Sequence, residues 1–296
     1  MRIVFVGTAA FGVPSLRALV RAGHDVPLVV TQPDRPGHRL RVTPPPVKVA
    51  AGELHLRVAQ PGRIGGEEAL AALQAAKPEL MVVVAYGQIL PGDVLRLPPR
   101  GVLNVHASLL PRHRGAAPVA RAVLAGDRVT GVTIMQMDEE LDHGPILSVR
   151  ETEIGPYEDA ASLTDRLAEL GADLLVETLG RLGDVRPAPQ DHSRATLAPK
   201  LRKQEGELDW SLSSEEIDRR VRALQPWPGT TLPFAGTRVK VLRGRPVTGN
   251  GRPGTVLGVE PGGVTVACGT GAYRLEEIQL PGRRPIPARI LAAGHA

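Results

Sequence analysis

Cysteine is almost absent from this chain. The single Cys268 excludes an intramolecular disulfide and any cluster of cysteine metal ligands, and it fits a reducing compartment. Aromatic residues make up only 3% of the composition, which argues against a base-stacking platform for single-stranded nucleic acid. Lysine is scarce too, occurring at positions 48, 77, 200, 203 and 240, so arginine supplies most of the positive charge. No apolar run is long enough for a membrane span or a secretory signal. Residues 2 to 6, RIVFV, end at Gly7 after one strand's length. The expectation is a cytoplasmic protein, monomeric and without membrane contact.

Several signatures are missing as well. GTAAFG at 7 to 12 lacks the G-x-G-x-x-G spacing and reads as an ordinary strand-to-helix turn. Walker and H-E-x-x-H sequences do not occur, and HASLLP is not a G-x-S-x-G nucleophile elbow. His106, His113 and His143 fit no standard zinc spacing, so no metal is expected.

What is present is a chain of 296 residues, 42% hydrophobic and 23% charged, with a net charge of +5. That length suits one large domain or two ordinary ones, and the basic balance permits an anionic partner. The first part alternates strand and helix signals: RIVFVG, VPSLRALVRAG, DVPLVVT, VKVAAGEL, LRVAQ, GGEEALAALQAAKP, ELMVVVAYG, GVLNVHAS and AAPVARAVLAG. VTGVTIMQM and GPILSVRETEI read as further strands before a long amphipathic helix from Tyr157. Such alternation predicts an α/β fold with a mostly parallel sheet over residues 1–184. Residues 185–204 carry no apolar periodicity and read as a linker. Residues 205–296 open with a helix capped by Ser213 or Ser214, then give short strands between Gly and Pro. A small barrel of the OB type is expected there.

One strand stands out. In VLNVHAS, alternation puts Asn104 and His106 on one face and Leu103 and Val105 on the other. A second strand, VTIMQM, runs into the acidic turn DEELDHG, and Asp142 is expected to meet the Asn–His pair at the same sheet edge. Amide, imidazole and carboxylate together suit acyl transfer to an amine. Two donors face a developing oxyanion, and the carboxylate orients the histidine or relays the amine proton.

These motifs carry a resemblance. GVLNVHASLLPRHRGAAPVARAVLAGD with TGVTIMQMDEELDHGPIL resembles the folate-dependent formyltransferases, and among them those that act on methionyl initiator tRNA. IVFVGTAAFGVPSLRAL, TQPDRPG, PPPVKVAA, VVVAYGQILP and LDWSLSSEEIDRRVRALQPWPGT extend the resemblance over essentially the whole chain. It implies a Rossmann-like formyltransferase domain, a second OB-like domain that binds tRNA, and 10-formyltetrahydrofolate as formyl donor. Asn104, His106 and Asp142 match the catalytic trio. Ser108, Leu109, Leu110, Pro111, Gln88, Ile89, Leu90 and Asp138 match the folate site. Arg35, Arg39, Arg41 and Lys48 in the basic loop, with Lys200 and Lys203, are candidate tRNA contacts. Arg194, Arg202, Arg238, Lys240, Arg243 and Arg245 extend that set. Glu140, His143 and Pro145 depart from the family pattern in the acidic turn, while the trio is intact. A formyltransferase acting on an amino-sugar nucleotide stays open as the alternative, disfavoured by the extended basic loop.

Overall fold

A computed structural model describes residues 1–36 and 42–293. Contacts divide the chain into two compact units. The first takes Met1–Pro118, Val129–Glu153 and Thr164–Ala198, and the second takes Val119–Arg128, Ile154–Leu163 and Pro199–Ala296.

The first unit holds a seven-stranded sheet. Its strands are β1 (Arg2–Gly7), β2 (Asp25–Val30), β3 (Val58–Ala59), β4 (Leu80–Val84), β5 (Val102–His106), β6 (Val129–Gln136) and β7 (Ile146–Glu153). They lie in the order β7-β6-β5-β4-β1-β2-β3. From β3 to β5 every pairing is parallel, whereas β6 joins β5 and β7 joins β6 antiparallel. Strands such as β4, buried along its whole length, need apolar cover on both faces, which explains the unbroken run LMVVV.

Helix α1 (Val13–Arg21) buries Leu16 and Leu19, and α2 (Pro46–Glu53) starts with proline in its first turn. Helix α3 (Glu67–Ala76) carries two glutamates in its first turn and ends at Lys77 in the left-handed conformation. Helix α4 is Pro118–Ala125, and α5 is the long Ala160–Gly180. Gly171 of α5 lets that helix press onto the sheet, since a β-carbon there would stand 2.8 Å from Val105 Cγ1 and 3.2 Å from Val132 Cγ1. Val105 therefore looks toward α5. On the opposite face Val4, Val6, Met81, Val83 and Val102 belong to one apolar cluster with Leu73 of α3.

The second unit is antiparallel and barrel-like. Helix α6 (Ser214–Ala223) precedes β8 (Thr230–Phe234), β9 (Thr237–Val247), β10 (Val256–Glu260), β11 (Gly263–Ala267), β12 (Ala272–Gln279) and β13 (Pro285–Pro287). They pair in the order β8-β9-β12-β11-β10, with β13 added to β12. The register between β9 and β12 shifts around Arg243, the kind of irregularity that bends a long strand. Ile217 and Val221 of α6 join Leu232, Val239, Val264, Tyr273 and Leu275 in one buried cluster. Trp210 seals it, its indole Nε1 donating to Pro233 O at 2.6 Å. Of the two serines that could cap α6, Ser213 does so, its hydroxyl accepting from Glu216 N at 3.2 Å.

The segment 185–204, expected to be a loose linker, differs from that description. Ala188 and Ile146 exchange both backbone hydrogen bonds, at 2.7 and 2.8 Å. Leu197–Ala198 pairs in parallel with Arg114–Gly115, and Ala117 N donates to Ala198 O at 3.1 Å. The segment is ordered by backbone and side-chain hydrogen bonds, which leave no hydrophobic period to read. A later helix, α7 (Ala288–Ala293), ends the described chain. None of the described helices is long and apolar enough to cross a membrane.

Candidate active site

Strand β5 carries the site. Its register aligns Met81 with Val102 and Val83 with Asn104 on the parallel side. Val102, Asn104 and His106 thus continue the apolar face of Val83 and Met81, and the face turns polar where the strand ends. His106 is 5% exposed.

The acidic turn reaches this pair by a different route from the one expected. Because β6 is antiparallel, Gln136 lies beside Leu103 and Met137 N donates to Val102 O at 2.8 Å. The turn therefore leaves beside the start of β5, not beyond its end, and folds back over Asn104 and His106. Gly144 permits the return: a β-carbon there would lie 2.0 Å from Gln136 O. Asp142 stands at the crest with φ of 48°, a left-handed conformation that aspartate tolerates better than most residues.

There the trio converges. Asn104 Nδ2 donates to Asp142 Oδ1 at 3.3 Å, and His106 Nδ1 lies 3.5 Å from Asp142 Oδ2. Gly115 N donates to the same Oδ2 at 2.8 Å. His106 Nε2 faces His113 O at 2.9 Å; a carbonyl only accepts, so Nε2 carries hydrogen and the ring presents Nδ1 to the carboxylate. Hydrogen bonds of this length in a free enzyme are of the sort that tighten around reactants. Among the described residues no group of three metal-ligating side chains could hold a metal ion.

The remaining expected site residues fall into two kinds. Leu110, Ser108 and Leu90 are buried, and Ser108 spends its hydroxyl on Arg112 O at 2.6 Å. Ser108 O and Leu110 N both bond to Thr133 Oγ1, at 2.7 and 3.2 Å. Ser108 thus braces the loop from within. Gln88 accepts from Ile64 N and donates to Gly62 O, each at 3.0 Å. Leu109 and Pro111 are partly exposed, while Ile89 is 80% exposed. Asp138 accepts from Glu140 N at 3.0 Å and meets His143 Nδ1 at 2.7 Å.

The basic candidates are unequal. Lys48 is held by Asp34 at 2.7 Å, and Lys48 and Gln60 together hold the Asp34 carboxyl below its ordinary value. Arg35 donates to Gln32 Oε1 at 3.2 Å from a short ladder, Arg35–Pro36 with Val42–Thr43. Arg39 and Arg41 lie outside the described residues. Lys200 and Lys203 are exposed. Arg243 and Arg245 share Glu276, each at 3.2 Å, and Arg238 is bonded to Leu208 O and Thr231.

Sequence reasoning missed Gln190. It is 5% exposed and donates from Nε2 to Asp142 O at 2.9 Å and Gly144 O at 2.7 Å. Its Oε1 accepts from Arg114 Nη2 at 2.6 Å and Nε at 3.2 Å. A glutamine in PAPQDHS sends no periodic or motif signal.

A formyl transferase model matches residues 1–179, and a formyl transferase C-terminal domain model matches residues 200–296. The chain belongs to the formyl transferase family, an enzyme family of group transfer. It is 49% identical to methionyl-tRNA formyltransferase of Solibacter usitatus, over 99% of this chain and 96% of that one. Identity to methionyl-tRNA formyltransferase of Thermus thermophilus is also 49%, over 100% of this chain and 96% of the relative. In fold it resembles HypX from Aquifex aeolicus, solved with tetrahydrofolic acid, with a TM-score of 0.65 at 21% identity. That match covers 98% of this chain, which spans 47% of HypX.

Proposed function

We propose that the chain transfers the formyl group of 10-formyltetrahydrofolate to the α-amino group of methionyl initiator tRNA. The observation that carries the reading is the meeting of Asn104, His106 and Asp142 on one strand face, in a chain about half identical to enzymes of that name. No nucleophilic side chain is needed. The amine nitrogen bonds to the formyl carbon, and the bond from that carbon to the folate nitrogen breaks. The proton given up by the amine passes by way of Asp142 to the departing nitrogen. Asn104 Nδ2, turned toward Asp142 in the free protein, swings to the oxygen that gains charge, with the His106 ring packed beside it.

The folate is a substrate of this reaction, and the mouth of the site suits one. Leu141 is 61% exposed beside Asp142, and Ile89 is 80% exposed in the loop after the strand next to β5. They offer uncovered apolar surface to a flat ring beside polar groups. Leu109, Pro111, Gln88, Leu90 and Asp138 are assigned to that pocket, with Ser108 shaping it from behind. Residues 1–184 are assigned to the chemistry and 205–296 to the tRNA. Arg35, Arg39, Arg41, Lys200 and Lys203 are assigned to its phosphates, and Lys48 to shaping the loop through Asp34. The protein acts in the cytoplasm as a monomer, which sedimentation of the free protein tests.

The deciding assay incubates the protein with the formyl donor and charged initiator tRNA, then looks for formyl-methionine after deacylation. A parallel arm supplies an amino-sugar nucleotide. Formyl transfer to the sugar and not to the tRNA would overturn the reading. A steep fall in tRNA affinity with salt is expected, since each neutralised phosphate releases counterion.

A further inference from the structure

Asp142 is held from behind as well as from the front. Its carbonyl and that of Gly144 both accept from the Gln190 amide, which uses both of its hydrogens on them. The amide oxygen uses its acceptor capacity on Arg114 Nη2 and Nε. The orientation is therefore fixed by chemistry: turned over, the amide would set its oxygen against two carbonyls and its hydrogens against a guanidinium. Arg114 is 8% exposed, and among the described residues no carboxylate forms an ion pair with it. Its Nη2 instead donates to His192 Nδ1 at 2.8 Å. The His192 ring stacks on His143, centroids 4.0 Å apart and planes within 5°. The next residue after Arg114, Gly115, donates its N–H to the Asp142 carboxylate. A β-carbon on Gly115 would stand 2.7 Å from Ala198 O, so this approach requires glycine.

We propose that Gln190, oriented by Arg114, is a positioning residue for Asp142, and that the segment 188–198 sets the catalytic geometry from behind. Asp142 and Gly144 belong to a turn bent back on itself, with Asp142 in a left-handed conformation. Gln190 holds that turn by tying two carbonyls on either side of His143 to one amide. Without it the turn relaxes, the carboxylate drifts from Asn104 and His106, and kcat falls while substrate binding changes little. A misplacement near 1 Å at a reacting group costs roughly 100-fold. The proposal rests on the formyl-transfer reading above.

The test measures kcat and both KM values for the full chain, wild type and variants, with charged initiator tRNA and formyl donor. Gln190→Met removes all four hydrogen bonds and should lower kcat roughly 10- to 100-fold, with folate and tRNA KM values close to wild type. Gln190→Glu keeps an acceptor for Arg114 but sets a carboxylate oxygen against the two carbonyls. It should fold and still lose kcat, so it decides the matter if the Met variant does not fold. Each variant is repeated in an Asp142→Asn background, where the effect on kcat should vanish if Gln190 acts through Asp142. Full kcat in Gln190→Glu, or an undiminished loss in the Asp142→Asn background, overturns the proposal. An inert wild-type protein would instead sink the formyl-transfer reading itself.

Discussion

Replacing Asp142 with asparagine tests the site at its centre. The carboxylate has three neighbours: Gly115 N at 2.8 Å on Oδ2, Asn104 Nδ2 at 3.3 Å on Oδ1, and His106 Nδ1 at 3.5 Å from Oδ2. Asparagine keeps one oxygen, and the short bond from Gly115 N claims it. The new amide hydrogens then face Asn104 Nδ2, donor against donor. One hydrogen bond to a charged acceptor is lost, that from Asn104, worth about 1.5–3 kcal/mol, and with it the carboxylate that relays the amine proton, worth roughly 10²–10⁴ in rate. At about 1.36 kcal/mol per tenfold in rate, the lost bond alone is roughly 10- to 100-fold, and with the relay gone kcat should fall by roughly 10² or more. The assay is the initial rate of formyl transfer to charged initiator tRNA, read as formyl-methionine after deacylation. Thermal unfolding should stay close to wild type, because Asp142 keeps its backbone bond from Gln190. Combining the change with His106→Ala should give less than the product of the two losses, as groups that act together do. A kcat within about tenfold of wild type, one step of that scale, would refute the assignment of Asp142 to the transfer step.

Three other perturbations follow from the geometry. Gly144→Ala puts a β-carbon 2.0 Å from Gln136 O, so the turn must move; kcat should drop and thermal stability fall by about 1–3 kcal/mol, measured by denaturant titration. Ser213→Ala removes the cap of α6 and should cost about 1 kcal/mol, seen as a lower unfolding midpoint with catalysis unchanged. In the second unit, Arg121 holds the Glu205 carboxyl below its ordinary value of 4.5 through bonds of 2.5 and 3.0 Å. The folded form then binds fewer protons than the unfolded form between the depressed pKa and 4.5, so this stabilisation is complete above 4.5 and is lost as pH falls through the depressed value. The unfolding temperature of Glu205→Gln should accordingly decline less steeply below pH 4.5 than that of the wild type.

The alternation in VLNVH could be read because a strand's period is fixed by its backbone, and it put Asn104 and His106 on one face before any contact was known. The buried run LMVVV and the helix at 67–76 were legible for the same reason: burial on both faces, or on one stripe, writes itself into residue spacing. The direction of β6 was not legible. A hydrophobic strand reads alike whether it runs with its neighbour or against it, and only the pairing of Asn104 with Met135 shows that the acidic turn must double back. Nor does residue type disclose a partner. Lys48 looked like a cation free for phosphate, but Asp34 lies 14 residues earlier and holds it. Ser108 matches the folate loop by resemblance, and nothing in its residue type discloses that its hydroxyl donates to the Arg112 carbonyl four residues on.

The segment 185–204 shows the same blindness from the other side. Its order comes from backbone pairing with Arg114–Gly115 and Ile146 and from the Gln190 amide. Neither kind of bond imposes an apolar period, so polar and proline-rich composition made an anchored strap look like a tether. Hydrophobic burial repeats along a chain and can be counted there, whereas a buried amide works once, at one place, through partners far away in sequence. The residues that position a catalytic group are of the second kind. The trio was therefore visible in the sequence, while the brace behind Asp142 became visible only when the fold brought residue 190 to residues 114, 142 and 144.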